Sequence, residues 1–312
     1  MNNILITGSS GTVGTAVAEA LLDHGYNVRG LDTQSNRWSE RVDELTMTVD
    51  ITDERLLPPK ESFNPDLILH FAAHARVHKS VENPELALSN FNMTFKVAEY
   101  ARQLNADLIF SSSREVYGNN TGIISSEDNT QVDKCESPYT ASKAGGEALV
   151  NSYGRCYDID TAIVRFSNVY GRFDMSNRVI PLFIAQANRG DDLTVFGKDK
   201  VLDFTYLDDC VNGVLALIKQ FHKATGETFN IASGRGSSLI NVAEQIVEQT
   251  GSNSDILVQE NRTGEVSRYI ADVSKAERLL GFSTDYSLPE GIQSTVEWYE
   301  AHPELFNSIL NQ

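Results

Sequence analysis

Asn3-Ile4-Leu5-Ile6-Thr7-Gly8-Ser9-Ser10-Gly11-Thr12-Val13-Gly14 decides the fold of this chain. The apolar run 3–7 reads as a buried strand. After the glycines, Val13, Ala16, Val17, Ala20 and Leu21 recur at helical spacing. Strand, glycine loop and helix, in that order, form the context of a dinucleotide site. Gly8 makes the tight turn, Gly11 lets backbone N–H groups approach a pyrophosphate, and Gly14 lets the helix pack closely. The helix N-terminus, with Thr12 and Val13 in its first turn, then faces the phosphates.

The next strand, 26–32, ends at Asp32. A carboxylate there accepts hydrogen bonds from the adenosine ribose and repels a 2′-phosphate, which favours NAD over NADP. Further strands are expected at 67–72, 107–112 and 161–167, with helices at 12–24, 84–104 and 138–154. This alternation predicts an α/β fold with a doubly wound parallel sheet, the Rossmann arrangement. Beyond residue 170 the pattern loosens into short strands (193–196, 229–231, 256–259) among helices (179–189, 208–220, 238–250, 274–280, 289–300). The expected division is a cofactor domain over 1–170 and a smaller α/β substrate lobe over 171–312, with the chain free to cross between them.

The 312 residues suffice for a good core, and no apolar run reaches membrane-spanning length. The chain enters a strand at once, so no signal peptide is expected. Cys135, Cys156 and Cys210 lack metal spacing and suit a reducing cytoplasm. The net charge of −17 argues against non-specific nucleic-acid binding. His70, His74 and His78 recur every four residues. His70 belongs to an apolar strand, however, so the three share no helix face and no metal site is expected.

Tyr139-Thr-Ala-Ser-Lys143 places a phenol and an ammonium on one helix face, one turn apart. A free tyrosine has a pKa of about 10, and a neighbouring cation lowers it. The pair is therefore expected to move a proton on and off a hydroxyl near neutral pH.

These stretches resemble the extended short-chain dehydrogenase/reductase family, in its nucleotide-sugar epimerase/dehydratase branch. The resemblance rests on Thr7–Gly14, His70-Phe-Ala-Ala73, Ser111-Ser-Ser-Arg-Glu-Val-Tyr-Gly118, Tyr139-x-x-x-Lys143 and Arg165-Phe-Ser-Asn168-Val-Tyr-Gly171. Val179-Ile-Pro181, Asp203-Phe-Thr-Tyr-Leu-Asp208 and Arg262-Thr-Gly-Glu265 extend it through the second half. It implies NAD as cofactor and a nucleotide sugar as substrate. Tyr139 is then the acid/base, Lys143 holds the nicotinamide ribose and tunes Tyr139, and Ser113 binds the reacting hydroxyl. Asp50 and Ile51 flank the adenine; Phe71, Ala72, Ala73 and Asn90 line the cofactor cleft. Asn168, Val179 and Arg262 lie by the substrate's nucleotide and diphosphate. It also implies a homodimer, paired through the Tyr-Lys helix and the helix carrying Leu88, Phe91 and Phe95.

The expected activity is 4-epimerisation of a UDP-hexose through a 4-keto intermediate. The alternative is a dehydratase or uronate decarboxylase with Glu115 as base; an NAD-binding regulatory protein is a further reading. Two departures bear on the choice. In dehydratases of the family the slot after the serine or threonine reads Asp-Glu, whereas here it reads Arg114-Glu115, and arginine is no general acid. Leu202 stands where the family commonly has a diphosphate-binding arginine, with Lys198 and Lys200 nearby.

Overall fold

In the computed structural model, Ile4, Leu5 and Ile6 are wholly buried, which makes their strand a central one. The structure describes residues 1–53, 58, 62–119, 124–130, 132–261 and 266–311. Its strands are β1 Asn3–Thr7, β2 Asn27–Asp32, β3 Thr46–Thr48, β4 Leu67–His70, β5 Asp107–Ser113, β6 Thr161–Phe166, β7 Asn168–Tyr170, β8 Leu193–Phe196, β9 Val201–Tyr206, β10 Thr228–Ile231, β11 Gly236–Ser238 and β12 Ile256–Gln259. Its helices are α1 Thr12–Asp23, α2 Glu40–Asp43, α3 Val77–Glu82, α4 Glu85–Leu104, α5 Pro138–Cys156, α6 Val179–Arg189, α7 Leu207–Lys219, α8 Phe221–Ala224, α9 Leu239–Thr250, α10 Ser274–Leu280, α11 Leu288–Glu300 and α12 Leu305–Leu310.

Seven strands form one parallel sheet in the order β10-β6-β5-β4-β1-β2-β3. The order reverses between β1 and β4, and ligands of such sheets bind at the carboxyl ends beside that reversal. The pleat sends alternate side chains of β1 to opposite faces. Ile4 and Ile6 meet α1 and α7 through Val17, Leu21 and Val214, whereas Leu5 meets α4 and α5 through Val97, Ala101 and Val150. Burial on both faces explains why these strands read as continuous apolar runs.

A second core joins α6, α9, α11 and α12 to β8 and β9 through Phe183, Val195, Phe204, Ile246, Tyr299 and Ile309. Two small sheets, β11-β9-β7 and β12-β8, belong to this part. The strand expected at 229–231 does not stay with them. As β10 it pairs in parallel with β6 and forms an edge of the main sheet. No helix among the described residues is long and apolar enough to cross a membrane.

Candidate active site

The glycine loop follows β1 at the reversal point. Gly8 has a left-handed backbone (φ 78°), and a Cβ there would lie 2.7 Å from the Ala72 nitrogen. A Cβ on Gly14 would sit 2.0 Å from the Gly8 carbonyl oxygen. The loop and the start of α1 are thus pressed together as only glycines permit. Gly11 is the N-cap of α1, contributes no side-chain cap, and is followed by a first turn without an acid, so the leading amides are left for an anionic ligand. Asp32, at the end of β2, accepts from the Ser10 amide (3.0 Å) and the Gln34 amide (3.1 Å), which fixes its carboxylate beside the loop. These features fit a dinucleotide.

The third wall follows β4. Asn90 on α4 accepts from the His74 amide (2.7 Å) and donates to the His74 carbonyl (3.2 Å), pinning the segment that contains Phe71, Ala72 and Ala73. Phe71 sets its ring edge-on to Phe166. Ile51 is buried in the core shared with β2, whereas the Asp50 carboxylate is taken up by the Thr52 amide and hydroxyl.

Helix α5 starts at a well-formed cap. The Ser137 hydroxyl accepts from the Thr140 amide (3.2 Å), and Pro138 occupies the first turn. This places Tyr139 at the helix mouth, its amide donating to the buried Ser80 hydroxyl (3.2 Å). The Tyr139 phenol is hydrogen-bonded to the Ser113 side chain at the end of β5. One turn on, the Lys143 ammonium donates to the Ser111 carbonyl (2.7 Å) and lies over the Phe110 ring (4.9 Å). Ser113, Tyr139 and Lys143 therefore converge as the sequence suggested.

Their electrostatics differ from the sequence expectation. Burial pushes the Tyr139 phenol above its ordinary value, and this outweighs the Ser113 bond and the Arg178 and Arg114 charges that pull it down. Burial also pulls the Lys143 ammonium down to about 8, partly opposed by Glu147.

His70 sits behind this site with both ring nitrogens engaged, by Thr7 (2.7 Å) and Thr94 (3.3 Å). Burial, with the Lys143 charge, pulls the imidazole from 6.5 down to about 3. Below pH 6.5 the unfolded chain takes up a proton that the folded chain refuses. Stability from this group is full above 6.5 and is lost as pH falls toward 3, by ~4–5 kcal/mol in all. His70→Gln should flatten the decline in urea stability between pH 6.5 and 4; an unchanged slope would assign the decline to other groups.

The Arg114-Glu115 pair lies just beyond Ser113. The Arg114 side chain does not point to solvent: it is 12 % exposed and that of Glu115 is 8 % exposed. Its Nη2 meets Glu115 Oε1 at 2.8 Å, and its Nε donates to Asn168 Oδ1 at 3.0 Å. Asn168 in turn donates to the Asp203 carbonyl (2.7 Å). Arg114 Nη1 and Glu115 Oε2 are buried with no hydrogen-bond partner among the described residues. Leu202 is buried in the second core, Lys198 is exposed, Lys200 is buried, and Val179 opens α6. Arg262 lies outside the described residues.

Sequence reading missed Arg178, whose charge reaches the Tyr139 phenol, and the Ser80 hydroxyl that anchors its backbone. Arg178 directly precedes the Val-Ile-Pro stretch, which was the available signal. Ser80 had none.

Residues 4–232 match the NAD dependent epimerase/dehydratase family. A UDP-glucuronate 4-epimerase of Thermodesulfobacterium geofontis is 29 % identical over 326 residues, covering 99 % of each chain. A dTDP-glucose 4,6-dehydratase of Salmonella typhimurium is 28 % identical over 349 residues, covering 98 % of this chain and 95 % of its own. Among solved structures, an epimerase of Methanothermobacter thermautotrophicus superposes with a TM-score of 0.90 at 30 % identity, covering 98 % of this chain and 94 % of its own.

Proposed function

This chain belongs to the NAD dependent epimerase/dehydratase family, and from that premise we propose that it is a 4-epimerase of a UDP-hexose. The observation that carries the choice is the state of Glu115. Its carboxylate is held by Arg114 at 2.8 Å, directly beside a converged Ser113, Tyr139 and Lys143. Proton transfer at a hydroxyl is thus equipped, whereas the carboxylate that an elimination would use as base is tied to a guanidinium, with no acid next to it.

Bound NAD would supply the hydride acceptor for C4 and a positive charge that favours the phenolate. Tyr139 takes the proton of the sugar's 4-hydroxyl and later returns it, with the Ser113 hydroxyl orienting that oxygen. Arg178 and Arg114 favour the phenolate against the burial that opposes it. Lys143, anchored on the Ser111 carbonyl, has further N–H groups that would hold the cofactor ribose. Epimerisation at C4 by this route would involve no net change in oxidation state.

The rival reading, a dehydratase or decarboxylase with Glu115 as base, has one observation in its favour: Glu115 Oε2 has no hydrogen-bond partner among the described residues. Proton NMR of UDP-glucose, UDP-N-acetylglucosamine and UDP-glucuronate incubated in turn with the enzyme and NAD separates the two. We expect a C4 epimer of a hexose without accumulating NADH. Loss of water or carbon dioxide would transfer the assignment to the rival.

We also propose a homodimer. Leu88 (62 % exposed), Phe91 (36 %) and Phe95 (40 %) form an apolar stripe on α4, which packs beside α5. Phe91→Glu/Phe95→Glu should sediment as a monomer where the parent sediments as a dimer; a parent that is already monomeric would sink this proposal.

A further inference from the structure

Residues 172–178, between β7 and α6, are tied to the segments that follow all three strands at the cofactor cleft. After β1, the Thr12 hydroxyl donates to the Phe173 carbonyl (3.2 Å). After β2, Trp38 stacks on the Phe173 ring, with centroids 5.7 Å apart and planes at 25°. After β4, Arg76 donates to Asn177, and Arg178 donates to the Ala75 carbonyl (3.3 Å). Helix α11 closes the arrangement from the second core. Trp298 meets the Phe173 ring edge-on at 5.8 Å and Trp38 at 5.4 Å, and the Tyr299 hydroxyl donates to the Asp174 carbonyl.

Phe173 is one of only two non-glycine residues with positive φ among the described residues (69°); the other, Asn105, caps the end of α4. Asparagine tolerates that conformation at a helix end, whereas a bulky aromatic adopts it only where its surroundings enforce it. The enforcing contacts here are the Thr12 bond and the two tryptophans, which also pack on each other (5.4 Å) and on the second core.

We propose that residues 172–178 are a clasp over the cofactor cleft, with Phe173 as its latch against the paired rings of Trp38 and Trp298. A dinucleotide seated on the glycine loop, Asp32 and the Phe71–Ala73 segment leaves only when these segments part, and the clasp joins them. The inference rests on the reading that this cleft binds NAD. It gives the chain a means of keeping one cofactor through many cycles, as a reaction without net redox change permits.

The test is the rate at which NAD leaves protein loaded with it and freed of excess, with released NAD trapped by an unrelated dehydrogenase and its alcohol. Phe173→Gly removes the latch; the packing it loses exceeds the backbone strain it relieves, so it should melt somewhat earlier than the parent, and release is compared well below both melting temperatures. Without a ring to pack against the two tryptophans, it should release NAD about tenfold to a hundredfold faster. Trp298→Ala should accelerate release in the same direction, and Phe173→Tyr should keep the slow rate. Parent-like release from both Phe173→Gly and Trp298→Ala, each loaded stoichiometrically, overturns the clasp and leaves the NAD site standing. A parent that takes up no NAD overturns both.

Discussion

Tyr139→Phe should bind NAD as the parent does and lose about a thousandfold or more in kcat. Proton transfer by a positioned side chain is worth about 10²–10⁴ in rate, and here no second group takes over. Ser113 is a hydroxyl without a base of its own, and Lys143 is committed to the Ser111 carbonyl. The ring itself remains, so the helix start at Ser137 and the bond from the Tyr139 amide to Ser80 survive. A loss confined to kcat, with unchanged NAD content and melting temperature, would mark a chemical role. A variant that retained a tenth of the parent activity would remove Tyr139 as the acid/base.

The second large effect concerns the frame that holds this helix. Arg165 on β6 makes two bonds to Glu147 on α5, at 2.8 and 2.7 Å, one turn beyond Lys143. It also donates to the Tyr117 hydroxyl (3.0 Å) and the Glu127 carbonyl (2.9 Å). The pair is almost completely enclosed, with side-chain exposures of 4 % and 11 %. Arg165→Met leaves a buried carboxylate without its cation and should lower the urea stability by ~3–5 kcal/mol. Arg165→Met/Glu147→Leu should recover much of that loss, because what is costly is the stranded charge. A double variant as unstable as the single one would mean that the lost arginine bonds to Tyr117 and Glu127 carry the effect.

The difference between these residues shows what the sequence could disclose. The glycine loop, Asp32, Ser113, Tyr139 and Lys143 were legible because each is set by local order, a strand end or one helical turn. The central strands were legible for a related reason: burial on both faces leaves uninterrupted apolar runs. Arg165 was not, since a strand-end arginine suits a phosphate or a carboxylate equally, and only the packing of α5 on β6 brings Glu147 to it. The shift of Tyr139 was misjudged because spacing reveals a neighbouring cation but not enclosure, and enclosure dominates. β9 was not legible, and β10 was legible as a strand but not in its sheet, because their partners are distant in sequence: β9 pairs with β7 and β11, and β10 with β6. Nothing in the residue string marks Phe173 as left-handed.

The central claim is that the hydride leaving C4 returns to C4. UDP-glucose carrying deuterium at C4 should be incubated with the enzyme in ordinary water and the product examined by NMR and mass spectrometry. The account predicts a C4 epimer that retains deuterium at C4. Deuterium found at C6 of a dehydrated sugar, or lost from the sugar altogether, would contradict it.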